Sequence, residues 1–286
     1  MKDAALIFVK GLLMGSADVV PGVSGGTIAF ITGIYDRLID GLKDVGAFLK
    51  LSAQKLLRKS DETWKKVFGR IDFRLFIPLG LGIGIAFAIG SHIIPVMMER
   101  YPVPVYSLFI GLVLASAYQV YRQIKKHDMN GWMFALLGLA LGIAISLAPI
   151  GEAGTLAPLP ILFVLGAIAI CAMILPGISG SYILLMFGQY APILLALKSL
   201  NIAAIAVFMA GAAIGLLTFA RGLSWLLHNY HSYTFYALLG LMVGALTSLA
   251  IIVQENAAGS ASIVTSVGFI ALGAALVLAI EFYAHK

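Results

Sequence analysis

Long apolar stretches alternate with short polar ones along most of the chain. Six apolar runs are unbroken: residues 75–96, 104–121, 131–149, 202–221, 234–252 and 263–283. A helix rises about 1.5 Å per residue and a bilayer core is about 30 Å thick, so each run predicts a membrane-spanning helix. Two further segments, 4–35 and 158–197, are equally apolar but interrupted midway, at Pro21-Gly22 and Pro176-Gly177. Each half is about 15 residues, near 22 Å as a helix and too short to cross alone. The pattern predicts an all-α polytopic membrane protein with two broken segments.

These pieces occur twice in the same order. With Pro21 set on Pro176, Gly11 meets Gly166, Ser24 meets Ser179, Gly25 meets Gly180, Gly33 meets Gly188 and Tyr35 meets Tyr190, at a constant offset of 155. Downstream the offset falls to 129, where Tyr101 meets Tyr230 and Gly111 meets Gly240. The difference of 26 is an insertion in the first copy, within the polar stretch 40–72. The expected organisation is therefore repeat 1 over 1–150, with a hairpin at 4–35, the insertion and three spans. Repeat 2 follows over 151–286, with a hairpin at 158–197 and three spans. Duplication on this scale in a membrane chain suggests a transporter rather than a solenoid.

Composition agrees. The chain of 286 residues is 61% hydrophobic and 11% charged, against about a quarter charged for a soluble domain. No cleavable leader is evident before the first motif. One cysteine, Cys171, excludes an intrachain disulfide framework and a multi-cysteine metal site, and no cofactor is expected. The net charge of +6 alone would suit a nucleic-acid partner, but its distribution points to membrane orientation instead. If both broken segments leave on the side they entered, 17 of the 19 lysines and arginines face one side, leaving Arg100 and Lys198 opposite. If both cross, the split is 14 to 5. The positive-inside bias favours re-entrance, which puts both termini in the cytoplasm and inverts the second repeat relative to the first.

Within the insertion, Leu42, Val45, Leu49, Leu56 and Leu57 share one helical face, and Lys43, Lys50, Lys55, Arg58 and Lys59 fill most of the rest. Such a helix either lies on the anionic leaflet or is a solvated basic element that fixes orientation.

Backbone that leaves the helix inside a membrane must be buried in protein or line a wet cavity. "PGVSGG" and "PGISGS" are therefore expected to be hairpin tips, each followed by a helix starting near Ser24 or Ser179. A helix start carries unpaired N–H groups and about half a positive charge. Ser24 or Thr27, and Ser179 or Ser181, can cap it or donate hydroxyls. Two such tips entering from opposite faces would cradle one anion near the midplane. The alternative is that Pro-Gly merely kinks two helices for packing. Asp18 has Met173 as its counterpart. A charge there is expensive in a bilayer, so it orients the tip, caps it, or binds a proton or cation. His92 and Arg221 correspond at the 129 offset; each either draws an anion at one mouth or is an ordinary interfacial side chain.

The stretches "ADVVPGVSGGTIAFITGIYDRLI" and "LPGISGS" resemble those of the polyprenyl-phosphate transporter family. The resemblance covers essentially the whole chain. It implies return of undecaprenyl phosphate from the outer to the inner leaflet of the bacterial cytoplasmic membrane, which recycles the carrier for peptidoglycan and other envelope polymers. By motif match it assigns phosphate contacts to Pro21, Gly22, Ser24, Gly25 and Gly26, and to Pro176, Gly177, Ser179 and Gly180. Ser181 stands where the first motif has Gly26, so the two cradles need not bind equally. Moving a phosphate toward a negative cytoplasm invites H+ or Na+ coupling, with Asp18 first and His92 second as candidates. The rival readings are a carrier or channel for a water-soluble anion, and a membrane lipid phosphatase. An enzyme is not expected, because no clustered histidine and carboxylate set appears. Sequence leaves the oligomeric state open.

Overall fold

The computed structural model describes residues 2–19, 24–56, 68–152, 154–257 and 259–284. Pro21 and Gly22, and the end of the insertion with Leu57, Arg58 and Lys59, lie outside the described residues. Every regular element among the described residues is a helix. The first broken segment forms α1 (Lys2–Asp18) and α2 (Gly25–Ile31), and α3 (Tyr35–Leu56) leads into the insertion. Three long helices follow: α4 (Phe73–Arg100), α5 (Pro102–Arg122) and α6 (Met129–Ser146). The second broken segment forms α7 (Leu159–Ile174) and α8 (Gly180–Met186), followed by α9 (Tyr190–Lys198). The chain ends with α10 (Ile202–Asn229), α11 (His231–Asn256) and α12 (Gly259–Ala284).

Among the described residues six helices are long and apolar enough to cross a membrane, α4 to α6 and α10 to α12, and they coincide with the six unbroken runs. Their ends differ from the runs for local reasons. Both α4 and α10 have 28 residues, about 42 Å, so each carries polar ends beyond the hydrocarbon. By contrast α6 stops at Ser146, three residues before Pro149, because proline disfavours helix at the residue preceding it. The starts of α4 and α10 are capped alike: Asp72 accepts from the Leu75 amide (3.1 Å) and Asn201 from the Ala204 amide (3.2 Å). A single non-helical residue, Tyr101 in one copy and Tyr230 in the other, joins each of these helices to the next.

Helix partners are matched between the copies. α1 packs on α4 as α7 packs on α10, and α5 and α11 pack on each other. α6 packs on α11 of the other copy, and α12 packs on α5. Small residues allow this close approach, as expected where lipid supplies no hydrophobic drive. A β-carbon at Gly11 would strike the Leu79 carbonyl, and one at its counterpart Gly166 the Phe208 carbonyl. Gly138 and Gly142 of α6 lie backbone to backbone against Gly240 and Gly244 of α11, and Gly111 and Gly273 do the same between α5 and α12. The third span of each copy thus completes the other copy.

α3 begins at Tyr35, well before residue 42, and runs for 22 residues. It is not simply laid on a surface. It packs on α10, where Ser224 donates to Asp40 (2.6 Å) and His228 Nε2 lies 3.7 Å from the same carboxylate. Leu51 is buried, while Lys43, Leu49 and Lys50 remain exposed.

Candidate functional site

Both broken segments fold back on themselves. In the second, Pro176 removes a donor and Gly177 takes φ +89°, a left-handed conformation that costs a residue with a side chain about 1–2 kcal/mol. The chain reverses there, and Leu184 of α8 packs beside Leu165 and Ala169 of α7. The hairpin closes on its own entrance. The Gly151 amide donates to the carbonyls of Leu185 (3.2 Å) and Met186 (3.1 Å). Gln189 accepts from the Ala157 amide (2.8 Å) and donates to the Thr155 carbonyl (3.2 Å). A bend of 108° at Gly188 (φ +64°) then turns the chain into α9. In the first hairpin α2 packs back on α1, Lys10 Nζ donates to the Thr32 carbonyl (2.6 Å), and Gly33 repeats the turn at φ +68°.

The two tips touch each other. Ser24 is 1% exposed and directs its hydroxyl at the carbonyls of Met173 and Leu175, 2.9 Å from each. The hydroxyl of Thr27, equally buried, accepts from the Gly177 amide at 3.0 Å. Gly26 lies against the Ile174 carbonyl, leaving no room for a β-carbon. Hairpin 1 therefore grips the end of α7 and the turn that follows it.

The two short helices begin where the motifs place them, but their first amides differ. In α2 the Gly25 amide donates to Asp18 Oδ1 (2.7 Å), the Gly26 amide to Ser24 Oγ (3.1 Å) and the Thr27 amide to the Ser24 carbonyl (3.0 Å). Three of the four orphan donors at this helix start are thereby satisfied within the protein, one by a carboxylate. In α8 no described residue accepts from the amides of Gly180, Ser181 or Tyr182, and Ser179 makes no capping bond. Its hydroxyl instead pairs with that of Ser181 at 2.7 Å. Beside this start lies a small pocket bordered by Ser146, Ser179, Tyr182 and Ser248, with Gly177 and Ala245. It encloses about 10 Å³, room for one water. The Tyr182 hydroxyl donates out of it to the Ser146 carbonyl (3.1 Å).

Of the residues singled out in the sequence, the structure sets Ser24, Gly26 and Thr27 against the end of α7 and Gly177, holds Asp18 on Gly25 within hairpin 1, and pairs Ser179 with Ser181 beside Gly180 in hairpin 2. It does not bring His92 or Arg221 to them. His92 is exposed on α4, its ring bonded to the Ala88 carbonyl of the same helix (3.0 Å). Arg221 is exposed on α10 with its guanidinium beside Gly46 of α3. Tyr35 is buried and stacked on Phe30 (3.7 Å between ring centroids), a packing residue. Sequence reasoning missed Ser146, Tyr182 and Ser248. The available signal was faint: small hydroxyl residues late in otherwise apolar spans, on the facing helices α6 and α11.

Two matched sets of three spans, each preceded by a folded-back helix pair whose tip is buried against the other, define a polytopic membrane protein with paired interior helix breaks. The chain belongs to the VCA0040-like family, described as undecaprenyl phosphate translocase-like, whose model matches residues 14–267. It is 42% identical over 249 residues to a polyprenyl-phosphate transporter of Vibrio cholerae serotype O1, covering 85% of this chain and 76% of that one. It is 30% identical over 254 residues to a polyprenyl-phosphate transporter of Staphylococcus aureus, covering 83% of each. No solved structure matches.

Proposed function

We propose that the protein returns undecaprenyl phosphate, or a closely similar polyprenyl monophosphate, from the outer to the inner leaflet of the bacterial cytoplasmic membrane. The reading rests on one observation: two helix breaks meet tip to tip inside a chain whose relatives are named for that lipid. In this reading the copies are inverted repeats, both hairpins are re-entrant, and both termini are cytoplasmic. The matched packing and the return of α8 to residues 151–157 support it. No chemical step is involved; the protein shields a phosphate while the prenyl chain stays in lipid.

The open helix start at Ser179, Gly180 and Ser181 is the better phosphate cradle, with Pro176 and Gly177 shaping its turn. Its pocket is closed at about 10 Å³, so a phosphate enters only as hairpin 2 shifts on α6 and α11. Ser24, Gly25, Gly26 and Thr27, with Pro21 and Gly22, form the opposing cradle. There Asp18 already occupies the anion position. A proton on Asp18 weakens its hold on the Gly25 amide and frees it for phosphate, which links proton entry to anion transfer. The link matters because a phosphate monoester carries about −1.5 to −2 charges. Moving it toward a negative cytoplasm costs about 2.3 kcal/mol per charge per 100 mV. Arg221 and His92 serve at the mouths, where they draw the anion from solvent.

The test is leaflet-resolved translocation of undecaprenyl phosphate in proteoliposomes. The wild type should move the lipid, Ser179→Ala should slow it at least tenfold, and Asp18→Asn should remove its pH dependence. Release of phosphate would instead make the protein a phosphatase. Movement of a soluble anion with the lipid left in place would make it a soluble-anion carrier.

A further inference from the structure

An apolar groove of about 600 Å³ runs between α6, α10 and α11. Phe134, Leu137 and Leu141 form one wall and Phe219 and Leu226 the other, with Leu238 at its base. Tyr230 and Tyr233 stand at its outer end, where the Tyr233 hydroxyl turns out to Asp128 (2.9 Å). Its inner end is Leu175 and Leu241. Both border the tip of hairpin 2: the Leu175 carbonyl receives Ser24, and Gly177 lies against Leu241 and Met242. From Tyr230 to Leu241 the groove follows α11 for about 16 Å, roughly half a hydrocarbon core.

Past the tip, the same two helices change character. On α6 the lining passes from Leu141 to Ser146, and on α11 from Leu241 to Ser248, where the serine pocket lies. Groove and pocket thus form a succession along α6 and α11, separated by the tip of hairpin 2 at Gly177. The polarity of this succession is the reverse of what a resident bilayer lipid needs. A phospholipid places its head at the membrane surface and its chains toward the centre. Here the polar end is buried in the protein, and the apolar end runs outward to two tyrosines. The volume lies within the range of about 300–1,000 Å³ for small-ligand sites. It accommodates the first few isoprenyl units of a long chain, not the whole of it.

We infer that this groove holds the proximal isoprenyl units of a polyprenyl phosphate whose headgroup is engaged at the tip of hairpin 2, while the rest of the chain lies in the bilayer. The inference rests on the proposed function and names where the lipid's chain goes. It also means that recognition reads the headgroup and the first units, and is blind to total chain length.

The experiment uses wild-type protein in vesicles of phosphatidylethanolamine and phosphatidylglycerol. A polyprenyl phosphate bearing a diazirine on its second isoprenyl unit is photolysed and its adducts are mapped. Adducts should concentrate at Leu141, Leu226 and Leu238 over the lipid-facing Ile77 and Leu81 of α4, and tenfold excess unlabelled undecaprenyl phosphate should suppress them. A phosphatidylglycerol bearing the diazirine on an acyl chain should label α4 as well and resist that competition. Leu141→Trp and Leu226→Trp should each lower translocation about tenfold, with Leu81→Trp unchanged. Even labelling of α4 and the groove by the polyprenyl probe, or adducts that do not compete, overturns the inference. The two failures are separable. Translocation without groove adducts removes the groove alone, and competed adducts in a protein that translocates nothing remove the proposed function while the binding site stands.

Discussion

Gly25 and Gly180 occupy the same position in the two repeats, and their amides have different fates. The first is held by the Asp18 carboxylate, the second by nothing among the described residues. The serines before them diverge too. Ser24 caps its own helix and reaches across to the other hairpin, whereas Ser179 pairs with Ser181 and caps nothing. The two frames match in position, and three side chains tell them apart: Asp18 against Met173, Gly26 against Ser181 and Thr27 against Tyr182. One tip is a finished piece of protein; the other keeps its helix start available. A carrier built from two identical cradles would hold its anion equally at both. Under the proposed function, an internal carboxylate at one tip gives the anion a reason to move.

Four comparisons break or sharpen this contrast, and the largest effect is on the turns. Gly33 and Gly188 both sit at positive φ, but a β-carbon meets nothing at Gly33 and runs into the Glu152 carbonyl at Gly188. Gly188→Ala should destabilise by about 2–5 kcal/mol and Gly33→Ala by about 1–2 kcal/mol, read as thermal unfolding in detergent. Equal losses would mean that the two hairpins close alike.

Next come the serines. Ser24→Ala removes a buried cap and a bond to hairpin 2, about 2–3 kcal/mol in the same melt. Ser179→Ala should cost about 1 kcal/mol yet depress translocation more per unit of stability lost. The reverse ranking would make hairpin 1 the phosphate site.

Third is an attempt to make the tips equal. A side chain at 173 stands over Gly180 as Asp18 stands over Gly25, since the Met173 β-carbon lies 3.4 Å from where one would sit on Gly180. Met173→Asp should therefore slow translocation about tenfold near neutrality and recover as the pH falls and the carboxylate is neutralised, with Met173→Asn affected less. A pH-independent defect would point to misfolding instead.

The smallest effect lies outside the membrane, at the equivalent caps Asp72 and Asn201. The hydrogen bond from Arg37 (2.7 Å) holds the Asp72 carboxyl below the usual carboxylate range. A depressed folded pKa gives stability that is present above the unfolded value of about 3.9 and lost as pH falls through the folded one. Arg37→Gln should remove this loss, worth less than about 1 kcal/mol for so exposed a pair, in melts compared at pH 5 and pH 3. Asn201→Ala should destabilise equally at both.

Much of this was legible in the chain because apolar length and Pro-Gly breaks are local signals. The six spans, the two short helices after Ser24 and Ser179, and the offsets that pair Gly11 with Gly166 all follow from them. Partnership was not legible. An offset says that α6 and α12 are equivalent, not that each packs on the other copy's second span, because such pairing depends on backbone approach at Gly138, Gly240, Gly111 and Gly273. The fate of Asp18 was open for a similar reason. Its distance from Gly25 is set by a chain reversal whose geometry no spacing encodes. His92 and Arg221 correspond in register, yet correspondence fixes neither which way a helix faces nor what lies beside it. Ser146 and Ser248 look like chance polar residues until α6 and α11 are set side by side.

The crossing of third spans has a temporal side. When α6 enters the bilayer during synthesis, the helix it needs, α11, is some ninety residues from being made. Its glycine face, shaped for Gly240 and Gly244, must meanwhile rest against lipid or a chaperone. The first half is thus an apprentice without a master until nearly the last helix arrives. A ribosome that halts after residue 150 should release a fragment fit only for the membrane protease, and a split gene should work only when both products are made together.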